Sequence, residues 1–121
     1  MTQLRYLLDE HVNPRFKRAL KNAAPELEVL VIGDLGTPPL KSLDPDILIW
    51  CEANTFSLVT NNRKSMPVHL QDHISQGRHV PPIFVMNSAM TFGNLVDELI
   101  LIWRVCSAEE FWDQLLYLPL S

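Results

Sequence analysis

Four short apolar runs, separated by longer stretches with helical spacing, constrain this chain more than any other feature. Arg5 to Leu8, Glu28 to Ile32, Ser57 to Thr60 and Pro82 to Met86 have the length and apolar character of buried strands. After the first of them, Asn13-Pro14 opens a helix: Asn caps, and Pro takes the first helical position, where no amide donor is missed. Phe16, Ala19, Leu20 and Ala23 follow as one apolar stripe, and Pro25 ends it. Asp44-Pro45 repeats the signal ahead of Ile47, Leu48, Trp50, Cys51 and Ala53. Pro67 to Gln76 reads as a third helix stopped by Gly77, and Phe92, Leu95, Val96, Leu99 and Trp103 give the longest amphipathic one. Ser107-Ala108-Glu109-Glu110 has capping-box spacing and starts a last short helix. The tail Tyr117-Leu118-Pro119-Leu120 is expected to add an edge strand or to dock on a partner.

Strands alternating with helices imply βαβ units: an α/β chain with a mostly parallel four-stranded sheet, right-handed crossovers and helices on both faces, three layers in all. With 121 residues there is room for one domain, 1–121, and the 47% hydrophobic content suffices for its core. Such sheets hold ligands beyond the carboxyl ends of the strands, where strand order reverses. If the second strand lies on one side of the first and the third on the other, that crevice falls between Asp9 and Asn61-Asn62.

Composition narrows the function classes. The run Leu99 to Trp103 is too short to span a bilayer, and the start of the chain lacks the apolar stretch of a signal peptide. The protein is therefore expected to be cytoplasmic, with no membrane partner. In that setting Cys51 and Cys106 read as buried free thiols rather than a disulfide or a thiolate zinc site. A net charge of −4 argues against holding nucleic acid by bulk electrostatics, yet suits a carboxylate-rich metal site that bound cations neutralise. Arg15, Lys17, Arg18 and Lys21 in one helix, and Arg63, Lys64, Arg78 and His79 in later loops, read mainly as solvated surface.

Among candidate chemical groups Asp9 stands first. A carboxylate directly after Tyr6-Leu7-Leu8 sits at the expected crevice, although an aspartate can also close a strand-end turn through its own backbone. Asp44 reads as a helix cap. Asp46 lies in the first helical turn, where a negative charge gains about 0.3–1 kcal/mol from the helix dipole; it could equally reach a hard cation in the crevice. Glu52 reads as surface. His69 and His73, at i and i+4 beside Asp72, could present two imidazoles to a metal, but a solvated face is the plainer reading. His11, next to Asp9-Glu10, is the better candidate for a supporting role. Asn61, Asn62 and Arg63 either form a turn or bind a phosphate, to which Arg63 is suited by its forked guanidinium.

Leu7-Leu8-Asp9-Glu10-His11-Val12, Asp46-Ile47-Leu48-Ile49 leading to Ala53, and Leu58-Val59-Thr60-Asn61-Asn62-Arg63 together resemble the small bacterial PIN-like proteins, relatives of the PIN-domain ribonucleases. The Asp34-Leu35-Gly36 loop adds weakly to the likeness, which runs from Tyr6 to the strand holding Phe84. The resemblance implies a phosphodiesterase site in which clustered carboxylates hold Mg²⁺ or Mn²⁺ to activate water. Asp9 matches the first acid of that pattern and Asp46 the acid opening the next helix. Relatives commonly carry acids two and four residues after the threonine; Asn62 and Lys64 stand there instead. The catalytic set is thus Asp9, Asp46 and Asn62, with Asp9 and Asp46 on the metal and Glu10, His11, Asn61 and Arg63 in binding roles.

Two functions follow as expectations. One is a metal-dependent ribonuclease with a degenerate acidic site, the toxin of a toxin–antitoxin pair neutralised by a small antitoxin-like protein. The other is a PIN-like scaffold that binds RNA or a protein partner without turnover. A homodimer is the default assembly, prompted by the apolar tail and the rich Leu99–Trp103 face.

Overall fold

The computed structural model describes residues 2–120, and its strands fall where the apolar runs place them. β1 (Tyr6–Leu8), β2 (Val29–Val31), β3 (Ser57–Thr60) and β4 (Ile83–Val85) alternate with α1 (Arg15–Ala23), α2 (Asp44–Asn54), α3 (Met66–Ser75) and α4 (Phe92–Val105). A fifth strand, β5 (Leu115–Tyr117), follows a 3-10 turn at Ala108–Phe111. The sheet therefore has five strands rather than four, every pair parallel, in the order β2-β1-β3-β4-β5. The tail adds the edge strand, but it begins two residues before Tyr117, and Leu118 is buried in the chain's own core rather than left for a partner.

Parity along the strands divides the core in two. Tyr6, Leu8, Val59 and Phe84 point to one face, where they meet Phe16 and Leu20 of α1 and Leu95, Val96, Leu99 and Trp103 of α4. Leu7, Leu58 and Ile83 point to the other, against Ile47, Leu48 and Cys51 of α2 and Met66 and Leu70 of α3. The face Leu99–Trp103, expected to exceed what one core can cover, is largely spent inside the chain; Leu101 is the exposed member.

The crossovers are not all of one hand. β1 to β2 runs outward with α1 on the first face, while β2 to β3 and β3 to β4 run the other way with α2 and α3 on the second. These three share a hand. β4 to β5 runs in that latter direction but carries α4 on the first face, so its hand is opposite, against the expectation of uniform handedness. The usual preference comes from a twisted strand feeding a tightly packed helix. Here the return passes instead through Ser107, bridged to Gln3, and the 3-10 turn, and Asp113 Oδ1 then accepts from Val80 N (2.9 Å) before β5 begins.

Helix ends differ by a residue or so from the sequence reading. Pro14 is the cap of α1 and Asn13 lies before it, its Oδ1 accepting from Arg15 N (3.0 Å). Leu43, not Asp44, is the cap of α2; Asp44 is already helical. Gly77, at φ +80°, ends α3 as expected, its N–H donating to Ile74 O (2.9 Å). No helix among the described residues is long and apolar enough to cross a membrane.

Candidate crevice at the carboxyl ends of β1 and β3

Strand order reverses between β1 and β3, and that is where the polar side chains gather. Asp9 continues the β1 ladder by one bond, its N–H donating to Val59 O (3.0 Å). By strand parity its side chain lies on the same face as Leu7, toward α2 and α3. It is 8% exposed. Burying a carboxylate is costly unless hydrogen bonds replace water, and here two do: Oδ1 accepts from Glu10 N (2.7 Å) and Oδ2 from Thr60 Oγ1 (2.8 Å).

Thr60 relays this contact outward. Its hydroxyl, fully buried, accepts from Asn62 N (3.0 Å) while donating to Asp9. Asn62 then holds the third loop together: Oδ1 accepts from Ser65 N (3.1 Å), and Nδ2 donates to Ser65 Oγ (2.8 Å) and Asp44 Oδ2 (3.1 Å). His69 Nε2 lies 3.4 Å from the same Asp44 oxygen. A continuous polar chain thus runs Asp9–Thr60–Asn62–Asp44–His69 across three elements.

The expected site residues divide accordingly. Asp9 and Asn62 come together with Thr60. Asn61 ties the neighbouring loop, Nδ2 donating to His11 O (3.2 Å), so His11 supports through its carbonyl while its ring is exposed. Glu10 Oε1 accepts from Lys41 N (2.7 Å) and is directed at the 33–43 loop. Arg63 is exposed, its guanidinium 5.5 Å from the Tyr117 ring centroid. Asp46 is exposed, and its side chain hydrogen-bonds to none of these residues. The acid of α2 that joins the chain is Asp44, which the sequence reading had spent on a cap. Two positions apart on a helix is roughly 200° of rotation, so only one of the pair can face the crevice.

The histidines also correct the sequence reading. His69 and His73 do not form a solvated face; they line the seam between α3 and α2. His73 is buried and lies 2.8 Å from Glu52 Oε1, with His79 O at 3.2 Å from the same nitrogen, so Glu52 is a seam residue rather than plain surface. The signal was present: Met66, Leu70 and His73 form the buried stripe of α3. Asp34, part of the loop that looked familiar, is structural as well. Its Oδ2 accepts from Lys17 Nζ (2.9 Å) and Val31 N (2.8 Å). Partial burial raises its pKa, but these two bonds and the lysine charge outweigh that and hold it below the usual value.

Mg²⁺ and Mn²⁺ prefer several oxygen donors, commonly more than one carboxylate with water. Among the described residues no group of three or more His, Cys, Asp or Glu is placed to hold a metal ion. The inward oxygens of Asp9 and Asp44 already accept protein hydrogen bonds, and Asn62 Oδ1 is committed to Ser65. As placed, these donors are engaged within the protein and form no ready-made cation cluster among the described residues. Compared with known proteins, the chain matches no family model, no curated protein and no solved structure.

Proposed function

We propose that this chain is a three-layer PIN-like domain that binds single-stranded RNA at the β1/β3 crevice without hydrolysing it. One observation carries the reading. The end of β3 and the loop after it supply hydrogen-bond donors: Thr60 Oγ1 to Asp9 and, where PIN relatives carry an acid, Asn62 Nδ2 to Asp44. The carboxylates are satisfied from within, and the groups left exposed on that loop include Asn61, Arg63 and Lys64. Neither cation of this loop makes an ion pair among the described residues, so both are available to phosphate oxygens. Asn61, bonded to the His11 carbonyl, fixes the β1–α1 loop beside them.

Calorimetric titration with Mn²⁺, run beside an RNA-integrity gel, tests this. The expected result is no saturable heat up to high millimolar metal and intact RNA. Saturable binding abolished by Asp9→Asn, with cleavage in Mn²⁺ but not in EDTA, overturns it in favour of the metal-dependent ribonuclease.

That second reading is favoured by the position of Asp9: nearly buried, at the strand-order reversal and bonded to the threonine of the PIN pattern. It carries with it a toxin role and a small antitoxin-like partner. Both readings are of a cytoplasmic protein. A homodimer rests on exposed apolar residues, Leu101 and Val105 of α4 and Tyr117 and Leu120 of the tail; a monomer by light scattering removes it.

A further inference from the structure

α1 carries four basic residues, and the structure divides them into two pairs. Lys17 Nζ is 2.9 Å from Asp34 Oδ2, and Lys21 Nζ donates to the carbonyls of Leu27 (2.7 Å) and Pro25 (3.2 Å). Both lysines are fastened to the segments flanking β2. Arg15 and Arg18 are exposed, and among the described residues their guanidinium groups make no ion pair and no hydrogen bond.

They have a shared setting. Arg15, Arg18 and Asn22, at i, i+3 and i+7 on one side of the helix, line a depression of about 270 Å³ with Ala19 and Phe92. Phe92 is held against Phe16, ring centroids 4.3 Å apart and planes 30° from parallel, and the Arg15 guanidinium lies 5.6 Å from the Phe92 centroid. Phe92 is half-buried, so part of its surface remains open to the depression. α1 and α4 both start at the carboxyl rim of the sheet. The depression therefore begins near the same rim as Asp9, on the opposite face, and runs along α1 to its last turn at Asn22.

We propose that this depression binds one nucleotide unit of a single-stranded RNA, the phosphate on Arg15 and Arg18 and the base against Phe92. Forked guanidiniums suit phosphate oxygens, and an aromatic surface beside a cationic groove is the usual platform for unpaired bases. Asn22 adds an amide able to donate or accept at the sugar or base edge. The strand itself rests on the RNA-binding reading above, whereas the depression is separate from the crevice residues.

The test is fluorescence anisotropy of a labelled single-stranded RNA across a salt series, together with NMR titration of adenosine monophosphate as a minimal probe. Arg15→Ala/Arg18→Ala is expected to weaken RNA binding and to lower the log–log salt slope by about 0.7, the value for the one single-strand phosphate that the two arginines share. Phe92→Leu is expected to weaken single-stranded RNA about fivefold or more with the salt slope unchanged. Arg104→Ala removes the same charge at the far end of α4 and is expected to leave the slope as it is. A double variant no different from native, or an Arg104→Ala loss equal to that of Arg18→Ala, overturns the proposal. If Arg63→Ala abolishes RNA binding while the α1 variants do not, the crevice reading stands and this one fails. If native protein binds no RNA but shows adenosine monophosphate shifts at Arg18 and Phe92 that Arg18→Ala removes, the crevice reading fails and the nucleotide site stands. Absence of both signals rejects both.

Discussion

The two faces of the sheet are built from different materials. On the α1/α4 side the core is continuous and aromatic: Tyr6 packs edge-on against Phe84 with centroids 5.9 Å apart, and Phe16 stacks on Phe92. Among its buried polar groups the Tyr6 hydroxyl donates to Leu99 O (2.7 Å), burial pushing that phenol well above its ordinary pKa, while Ser57 Oγ, on the same face by strand parity, has no hydrogen-bond partner. On the α2/α3 side the core is smaller and repeatedly interrupted, by Asp9 and Thr60 at the rim and by the His69–Asp44 and His73–Glu52 pairs along the helix seam. The contrast assigns the aromatic core of the first face chiefly to stability; under the RNA-binding proposal, the rim of the second serves recognition at the crevice. A polar group deep in a core needs a partner and gains nothing from specificity, whereas a rim of satisfied polar groups can hold loops in a fixed geometry.

Substitutions can break that contrast, and the largest effect is expected on the aromatic face. Phe84→Ala should cost about 3–5 kcal/mol in urea unfolding, while RNA affinity of the folded fraction stays at the native value. An equal affinity loss would mean that the faces are not separable. In the seam, Glu52→Ala leaves His73 Nε2 with only the His79 carbonyl and should cost about 1–3 kcal/mol, again without altering RNA binding. If it proves neutral, the seam pair is ornamental.

A smaller effect sharpens the boundary at the first face. Because the folded pKa of Asp34 is lowered, its contribution to stability is present above the usual value of 3.8 and fades as pH falls through the folded value. Lys17→Met should therefore flatten the acid limb of the stability–pH curve and leave it unchanged near neutrality in shape. Least of all, Cys51 and Cys106 should differ in thiol labelling. Burial pushes both thiols up, but Cys51 is enclosed under α2 while Cys106 is only partly covered. Cys106 should react first, and Cys51 only at the rate of opening of the α2/α3 face.

Much of this arrangement was readable from residue spacing. The four strands and four helices follow from apolar period and from Asn-Pro, Asp-Pro and Gly77 punctuation, and the juxtaposition of Asp9 with the Asn61-Asn62 loop follows from the doubly wound order. Three things were not. The bounds of β5 are one: the tail reads as an edge strand or a docking segment from Tyr117 on, whereas the strand is Leu115–Tyr117, paired with the edge that β4 offers. Asp44 and Asp46 are equivalent as sequence but lie on nearly opposite sides of α2, and only the packing of α2 on α3 decides which meets Asn62. The histidines were judged by average exposure, whereas His73 lies on the same stripe as Met66 and Leu70. Composition set against periodicity would have favoured periodicity here.

The central claim is that protein hydrogen bonds, not a cation, organise the carboxylates of the crevice. Measuring single-stranded RNA affinity in EDTA for native protein and for Asp44→Asn tests it most directly. The account predicts binding that needs no divalent ion and that is unchanged or tighter in the variant, since a negative charge near phosphate is removed while the amide can still accept from Asn62. Binding that appears only with Mn²⁺ and disappears with Asp44→Asn would contradict it.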